Sequence, residues 1–445
     1  MTKVITYGTY DFLHEGHIRL LERAKALGDY LIVGVTADDF DMARGKINVR
    51  QSLMERVEAI RQTGLADKII IEEYEGQKID DIRRYEVDIF TVGSDWVGKF
   101  DYLNEFCKVV YLDRTEGISS TEIRSQHQSL RIGLVGETNI VNKFKNECHF
   151  VNGIEITGIY ASSKGVLDRE LQDLASKTED YVDLLKKCDA VYIASKPSEH
   201  YAQVKTALES DVNVLCESPI TMTVDQFKEL SDLAYERKLV LMDGIKTAYS
   251  LAFNRMMLLI KSGIIGEILS VDTTCTSLID IDEDNPPKHL WNSITAWGPT
   301  ALLPIFKIFG TDYVQTMRFS KPLKGDDDFD LFTKISFIYD AGVASIKVGQ
   351  GVKSEGEMVI SGTKGYVYVP APWWKTDYFE VRYENPSENK RYFYQLEGEG
   401  IRYEILSFLN MIKGRKSYNR VSPEISRQII EIVGNKRELQ NGSIF

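Results

Sequence analysis

Runs of β-branched and aromatic residues alternate with stretches in which apolar positions recur every three or four residues. Val4–Tyr7, Tyr30–Val35, Lys68–Ile71, Asp88–Val92 and Val109–Leu112 read as strands. Between the first two, Ile18, Leu20, Leu21, Ala24 and Leu27 share one helical face, and Gly28 closes it; Ser52–Gln62 and Ile79–Tyr85 repeat the pattern. Such alternation predicts a parallel sheet covered by helices on both faces. The rhythm breaks at Gln126–Ser129, and a fresh apolar run, Arg131-Ile132-Gly133-Leu134-Val135-Gly136, opens a second α/β stretch. From Ile268 the texture changes to long β-type runs (Leu331–Tyr339, Val343–Val348, Gly365–Val369) separated by Gly/Asp/Lys turns, which predicts an antiparallel sheet. The expected fold class is α/β, with doubly wound domains over residues 1–128 and 129–250 and an α+β domain over residues 251–445.

Composition narrows the class. A chain of 445 residues exceeds one ordinary domain, and 43% hydrophobic with 27% charged residues is globular. No apolar run approaches membrane-spanning length and no leader pattern is present, so no membrane insertion is expected. Cys107, Cys148, Cys188, Cys216 and Cys275 are odd in number and scattered, as reduced thiols of a cytoplasmic protein would be. The net charge of −12 is split evenly between residues 1–128 and the remainder, which argues against nucleic acid as a partner. An anionic ligand must therefore be held by local donors.

The segment Gly8-Thr9-Tyr10-Asp11-Phe12-Leu13-His14-Glu15-Gly16-His17 follows the first strand and enters the first helix. It places two histidines, three residues apart, at a helix N-terminus, where unpaired N–H groups and the dipole favour phosphate. Both imidazoles can donate to charge that builds as a phosphoryl group is transferred. A second block, Arg114-Thr115-Glu116-Gly117-Ile118-Ser119-Ser120-Thr121-Glu122-Ile123-Arg124, reads as a loop entering another helix with Ser119 or Ser120 as its cap.

The first segment resembles the GTFDxxHxGH motif of nucleotidyltransferases that activate small phosphate esters, and the second resembles their RTxGISTT signature. Gly93-Ser94-Asp95-Trp96-Val97-Gly98-Lys99-Phe100-Asp101 is similar to the GDDWxGKFD segment of bacterial glycerol-3-phosphate cytidylyltransferases. The resemblance runs through residue 128 and implies CTP and a small polyol phosphate as partners, with Mg2+ as cofactor. It makes His14, His17, Lys46 and Arg114 the catalytic set. It assigns nucleotide binding to Gly8, Thr9, Tyr10, Asp11, Gly16, Gly93, Asp95, Ser119, Ser120 and Thr121. Arg44, in Ala43-Arg44-Gly45-Lys46, keeps the charge of a family Lys-x-Lys but alters its geometry. Arg44 and Arg56 are the expected substrate contacts, although Arg56 reads equally well as a helix-surface residue. Asp11 either orients Mg2+ through water or caps a turn. Ser94, usually Asp in the family, departs from the pattern on the base side.

Residues 131 to about 435 resemble the Gfo/Idh/MocA oxidoreductases through Ile132–Gly136, Val191–Ala194, His200, Val214–Pro219 and Ile260–Ile268. This implies a Rossmann dinucleotide-binding domain, a sheet-rich domain and NAD(P), with several parts replaced. Gly136 stands, but Thr138 and Val141 occupy the next two glycine positions of the fingerprint. The family's Glu-Lys-Pro reads Glu217-Ser218-Pro219, and a serine cannot supply the charge of an ammonium. The stretch Trp297–Phe306 holds neither the aspartate nor the histidine of the family's Asp-x-Gly-x-His. Gly136, Thr138, Ser162, Lys196, Glu217 and Lys246 are the candidate dinucleotide site, with Tyr249 and His289 as further acid or binding groups. Ser162, Ser163 and Lys164 lie where a ribose would be read, and the absence of an acid there favours NADP. Three readings stand: a cytidylyltransferase with an inactive attached module, a bifunctional enzyme that also reduces a ketose phosphate or CDP-ketose, or a transferase gated by a sensing domain. A homodimer or higher homo-oligomer is expected.

Overall fold

The computed structural model describes residues 1–445 except 38–48, 50, 75, 114–128, 152, 163–165, 176–177, 179, 280–290, 376–377, 394–395, 415–419 and 435–445. The chain forms two compact units, Met1–Ser129 with Phe150–Gly153, and Leu130–His149 with Ile154–Phe445. Among the described residues no helix is long and apolar enough to cross a membrane.

The first unit is a five-stranded sheet in the order β3-β2-β1-β4-β5, built from β1 (Lys3–Gly8), β2 (Tyr30–Thr36), β3 (Lys68–Glu72), β4 (Ile89–Gly93) and β5 (Lys108–Leu112). All pairs are parallel. Helices Glu15–Lys25 and Leu53–Thr63 bury Leu21, Ala24, Val57 and Ile60 on one face, and helix Gln77–Tyr85 buries Ile82 on the other. Ser52 and Glu55 close a reciprocal capping box at the start of the second helix, and Gly64 ends it in the left-handed conformation at φ 68°. Strand order reverses between β1 and β4, so a crevice opens beyond their carboxyl ends.

The second unit carries another parallel sheet, ordered β10-β9-β8-β6-β7, from β6 (Leu130–Val135), β7 (Ile154–Tyr160), β8 (Ala190–Ile193), β9 (Asn213–Glu217) and β10 (Leu241–Gly244). Its switch point lies between β6 and β8. An eight-stranded sheet follows, built from β11 (Ile268–Thr276), β12 (Gln315–Leu323), β13 (Asp326–Tyr339), β14 (Gly342–Gly349), β15 (Met358–Gly362), β16 (Tyr366–Val369), β17 (Tyr378–Arg382) and β18 (Lys390–Phe393), in the order β12-β13-β14-β11-β15-β16-β17-β18. It is largely antiparallel, as expected, with one parallel pair that makes it mixed. β11 pairs in parallel with β14, while its other neighbour, β15, is antiparallel. Helix Ser293–Phe309 carries the chain across the sheet between β11 and β12, and two hairpins through β13 return β14 beside β11 in the same direction. Helix Ile401–Ile412 packs on helix Asn139–Cys148, where Arg402 Nε donates to Glu147 Oε2 at 2.7 Å.

One glycine in the first sheet is required by close approach. Tyr7 on β1 stands opposite Gly34 on β2, and a Cβ at Gly34 would lie 2.3 Å from the Tyr7 ring. The ring cannot swing away freely, because its hydroxyl donates to Asp81 at 2.9 Å and the Lys78 ammonium sits 4.7 Å from its centroid. Overpacking of this kind costs about 1–3 kcal/mol. Gly34→Ala should lower the urea midpoint of the first unit accordingly, and an unchanged midpoint would show that Tyr7 has room to move.

Candidate active site

At the end of β1 the chain enters a strained loop: Tyr10 and Phe12 both have positive φ, 55° and 45°. Tyr10 is buried, with its ring folded back over Gly8, where an added Cβ would meet it at 2.9 Å. Gly8 thus makes room for Tyr10. Asp11 Oδ1 accepts from the Gln51 N–H at 3.0 Å, and Gln51 Oε1 accepts from the Phe12 N–H at 2.7 Å. Of the two roles open to Asp11, the structure displays the turn-holding one.

Arg56 closes the arrangement. It is fully buried (0% exposed), and its guanidinium donates to Thr9 O at 2.7 Å, Thr36 O at 2.8 Å and Gln51 O at 3.2 Å. Both expectations for Arg56, substrate contact and helix-surface residue, are corrected by this burial. It is a positioning residue that joins the β1 loop, the end of β2 and the segment before helix Leu53–Thr63.

The loop delivers His14 as the cap of helix Glu15–Lys25, in extended conformation, with Nδ1 accepting from the Gly16 N–H at 3.1 Å. A neutral ring that accepts at Nδ1 carries its proton on Nε2. Gly16 permits this fold-back, since a Cβ there would lie 3.0 Å from the His14 ring. The His17 ring stacks on His14 at 3.8 Å between centroids and meets the Tyr10 ring edge-on at 5.5 Å. Gly93 ends β4, hydrogen-bonded next to β1, and leads into the turn Ser94–Trp96 that contains Asp95. The structure therefore brings Gly8, Thr9, Tyr10, Asp11, His14, Gly16, His17 and Gly93 to one crevice. Arg44, Lys46, Arg114, Ser119, Ser120 and Thr121 lie outside the described residues, as does the side chain of Asp95.

Two family models match the chain. Cytidylyltransferase-like covers residues 5–126, and the oxidoreductase family with NAD-binding Rossmann fold covers residues 130–245. The glycerol-3-phosphate cytidylyltransferase of Bacillus spizizenii is 48% identical over 130 residues, 29% of this chain and 100% of that protein. The chain belongs to the cytidylyltransferase-like family. The Staphylococcus aureus glycerol-3-phosphate cytidylyltransferase is likewise 48% identical, over 129 residues, 28% of this chain and 95% of that protein. Beyond the cytidylyltransferase-like segment, solved structures show a shared fold. A 3-ketoreductase from Actinomadura kijaniata, in complex with NADP and TDP-benzene, matches at TM-score 0.59 and 16% identity, covering 68% of this chain and 96% of that one. A UDP-N-acetylglucosamine 3-dehydrogenase from Acidithiobacillus ferrooxidans matches at TM-score 0.57 and 16% identity, covering 68% and 95%. This cytidylyltransferase-like chain therefore carries an oxidoreductase-family domain.

In that domain a cleft of about 360 Å³ opens at the β6–β8 switch point, lined among others by Gly136, Glu137, Thr138, Ser162, Lys196 and Gln203. Gly136 has φ 127°, and a Cβ on it would lie 2.6 Å from the Ala194 carbonyl, so the glycine is sterically required. Thr138 Oγ1 donates to the same carbonyl at 3.4 Å, leaving its helix without a side-chain cap. His200 lies between Pro219 O (2.8 Å) and Ser195 O (3.0 Å) and is wholly buried, which lowers its pKa to about 4. It acts as a strap.

Glu217 and Lys246 are not in the cleft lining but at the adjoining strand ends. Glu217 accepts from the Tyr192 hydroxyl at 2.5 Å, and burial raises its pKa while Lys246 pulls it down. Glu404, which the sequence reading missed, is buried beside it and pushed well up by burial and by Glu217. Asp243 rises to about 6 through burial, with the Ser426 and Ser218 hydroxyls opposing. Asp243 and the adjoining Glu217 thus stand beside Ser218, where the resembled family has a lysine. Tyr249 is buried as well and donates to Asp243 O at 3.2 Å; His289, Ser163 and Lys164 lie outside the described residues. No local signal marks Glu404, which lies 187 positions from Glu217 along the chain. Among the described residues no group of three or more His, Cys, Asp or Glu could hold a metal ion.

The buried Arg56 gives a direct test. Arg56→Met leaves three carbonyls without their donor and should cost about 3 kcal/mol in urea unfolding. Arg56→Lys should recover only part, because one ammonium cannot span the three acceptors. A neutral Arg56→Met would show that the contacts contribute nothing net.

Proposed function

We propose that residues 1–128 transfer a cytidylyl group from CTP to glycerol 3-phosphate or a similar small polyol phosphate. A phosphate oxygen of the acceptor attacks the α-phosphorus in line, the bond to the bridging oxygen breaks, and pyrophosphate leaves. The product is a CDP-alditol of the kind that supplies bacterial wall or capsule polymers. The observation carrying this reading is the stacked His14–His17 pair at a helix N-terminus in the β1–β4 crevice, within a segment 48% identical to complete glycerol-3-phosphate cytidylyltransferases. His14, donating from Nε2, and His17 stabilise the charge developing on the phosphates. Lys46 and Arg114 neutralise it, while Arg44 meets the acceptor. Thr9, Tyr10, Gly93, Asp95, Ser119, Ser120 and Thr121 hold the nucleotide. Mg2+ would arrive with CTP and be steadied by its phosphates, since Asp11 holds the loop.

His17→Ala should lower kcat/KM for pyrophosphate release by at least about 100-fold. Failure of CTP with every polyol phosphate to release pyrophosphate, or an unimpaired His17→Ala, overturns the reading.

For residues 129–250 and 251–445 we favour a sensing or dimerisation module over a working NAD(P)H-dependent reductase. Ser218 in place of a lysine supports this, as does an acidic residue, Glu137, in the lining of the cleft where a pyrophosphate would lie. Gly136 and Ser162 still fit a dinucleotide in outline, with Lys196 available to a 2′-phosphate. Exposed Leu269, Met317, Phe319, Ile338 and Val343 on the large sheet support pairing of two copies.

Glu137→Gln removes the carboxylate facing the dinucleotide and should tighten NADPH binding about ten-fold, read by its fluorescence. If neither form binds NADPH or NADH, the reductase reading fails.

A further inference from the structure

Three lysines from separate segments of the second unit converge on one carboxylate. Lys143, on helix Asn139–Cys148, and Lys375 each donate to Glu399 Oε1 at 2.9 Å, and Lys246 donates to Oε2 at 3.0 Å. All four side chains keep between 22% and 38% of their surface open to solvent. Burial works against ionisation of Glu399, but the lysines outweigh it and hold the carboxyl far below its usual range. Among the described residues, one carboxylate thus serves three ammonium groups, which repel each other across it. Lys246 also acts on Glu217 and Glu404, drawing both down against burial. Glu217 and Glu404 are raised by burial, and Glu147 is paired with Arg402.

The carboxylate is held there by an unfavourable backbone. Gly398, Glu399 and Gly400 are all left-handed, with φ of 57°, 54° and 88°. A non-glycine residue adopts that conformation at a cost of about 1 kcal/mol. The turn is also pressed on its neighbour, because a Cβ on Gly398 would run into the Glu147 carboxylate.

Beside the lysines lies a pocket of about 310 Å³ lined by Thr247, Phe253, Met256, Trp373, Trp374 and Leu396, among others. Thr247 and Trp374 are chain neighbours of Lys246 and Lys375, and Leu396 is three residues before Glu399. Pocket and cation cluster therefore share three segments, and helix Asn139–Cys148 adds Lys143 to the cluster from a fourth.

We propose that Lys143, Lys246 and Lys375 bind the phosphoryl group of an organic phosphate whose ring or apolar body fills this pocket, and that Glu399 is an internal occupant which the ligand displaces. A terminal phosphoryl group presents three oxygens to three ammonium groups, whereas Oε1 of the carboxylate must serve two. As a dianion it also neutralises the cluster more fully. This site lies outside the cytidylyl-transfer crevice and does not depend on that reaction.

The test uses the full chain and reads each lysine by mass spectrometry after limited acetylation. The probes are CMP, inorganic phosphate and uncharged cytidine. CMP should protect Lys143, Lys246 and Lys375, while cytidine should not. Glu399→Gln should lower the CMP concentration for half-protection about ten-fold, and Lys375→Ala should raise it by a similar factor; thermal melting checks that both variants fold. Unprotected lysines, equal protection by cytidine, or a Glu399→Gln value equal to wild type overturns the site. Equal potency of inorganic phosphate and CMP removes the pocket from it. Pyrophosphate release from CTP, measured on the same preparations, reports separately on the first unit.

Discussion

The guanidinium of Arg56 is the interaction on which the catalytic crevice depends. Parallel strands end in loops whose carbonyls point toward the same edge, and buried carbonyls without donors are costly. Arg56 answers three of them at once, at Thr9, Thr36 and Gln51. With Thr9 fixed, the following loop is held through Tyr10 and Phe12 in left-handed conformations, and Asp11 and Gln51 tie it to the second helix. Only then does His14 reach its capping position, with its proton on the nitrogen away from Gly16. A charge that the sequence offers as a ligand contact is thus used to make backbone geometry.

The two parallel sheets obey the same topological rule and put crevices at equivalent places, but what fills those places differs. Beyond β1 and β4 stand two imidazoles and a helix N-terminus. Beyond β6 and β8 the glycine remains, but Glu137 lines the cleft and the helix start is uncapped. Farther along the same edge, buried Glu217, Asp243 and Glu404 lie close enough to act on one another, and Asp243 meets Ser218. The fold explains where ligands can approach. Side-chain charge differs between the two crevices, with imidazoles at the first and Glu137, Glu199 and Lys196 at the second.

Much of this was legible in the sequence because it is local. The strands of the first unit and the helix beginning at Leu53 follow from periodicity, caps and glycines, and the His14–His17 spacing alone brings both rings to one helix end. What depends on distant pairing was not legible. Helical periodicity puts Arg56 on a helix but does not say that Thr9 and Thr36 will bury it. The parallel β11–β14 pair depends on helix Ser293–Phe309, whose interior Pro299 and Pro304 blur its pattern. Lys143, Lys246, Lys375 and Glu399 are spread over 257 positions, and the only local trace of their meeting is the Gly398-Glu399-Gly400 turn.

The replacement of the family lysine by Ser218 and the gathering of three other lysines bear on one another. An ammonium beside Glu217, Asp243 and Glu404 would be partly neutralised by them and committed to that buried group. With serine there, burial keeps these acids raised, and positive charge in this part of the unit lies at a more open position around Glu399. A reductase needs a proton donor against a carbonyl, deep at the strand ends. A phosphate site needs several cations near solvent, able to exchange one anion for another. The three ammonium groups around Glu399 meet the second requirement, and on that ground we read this domain as one that binds an anion without transforming it.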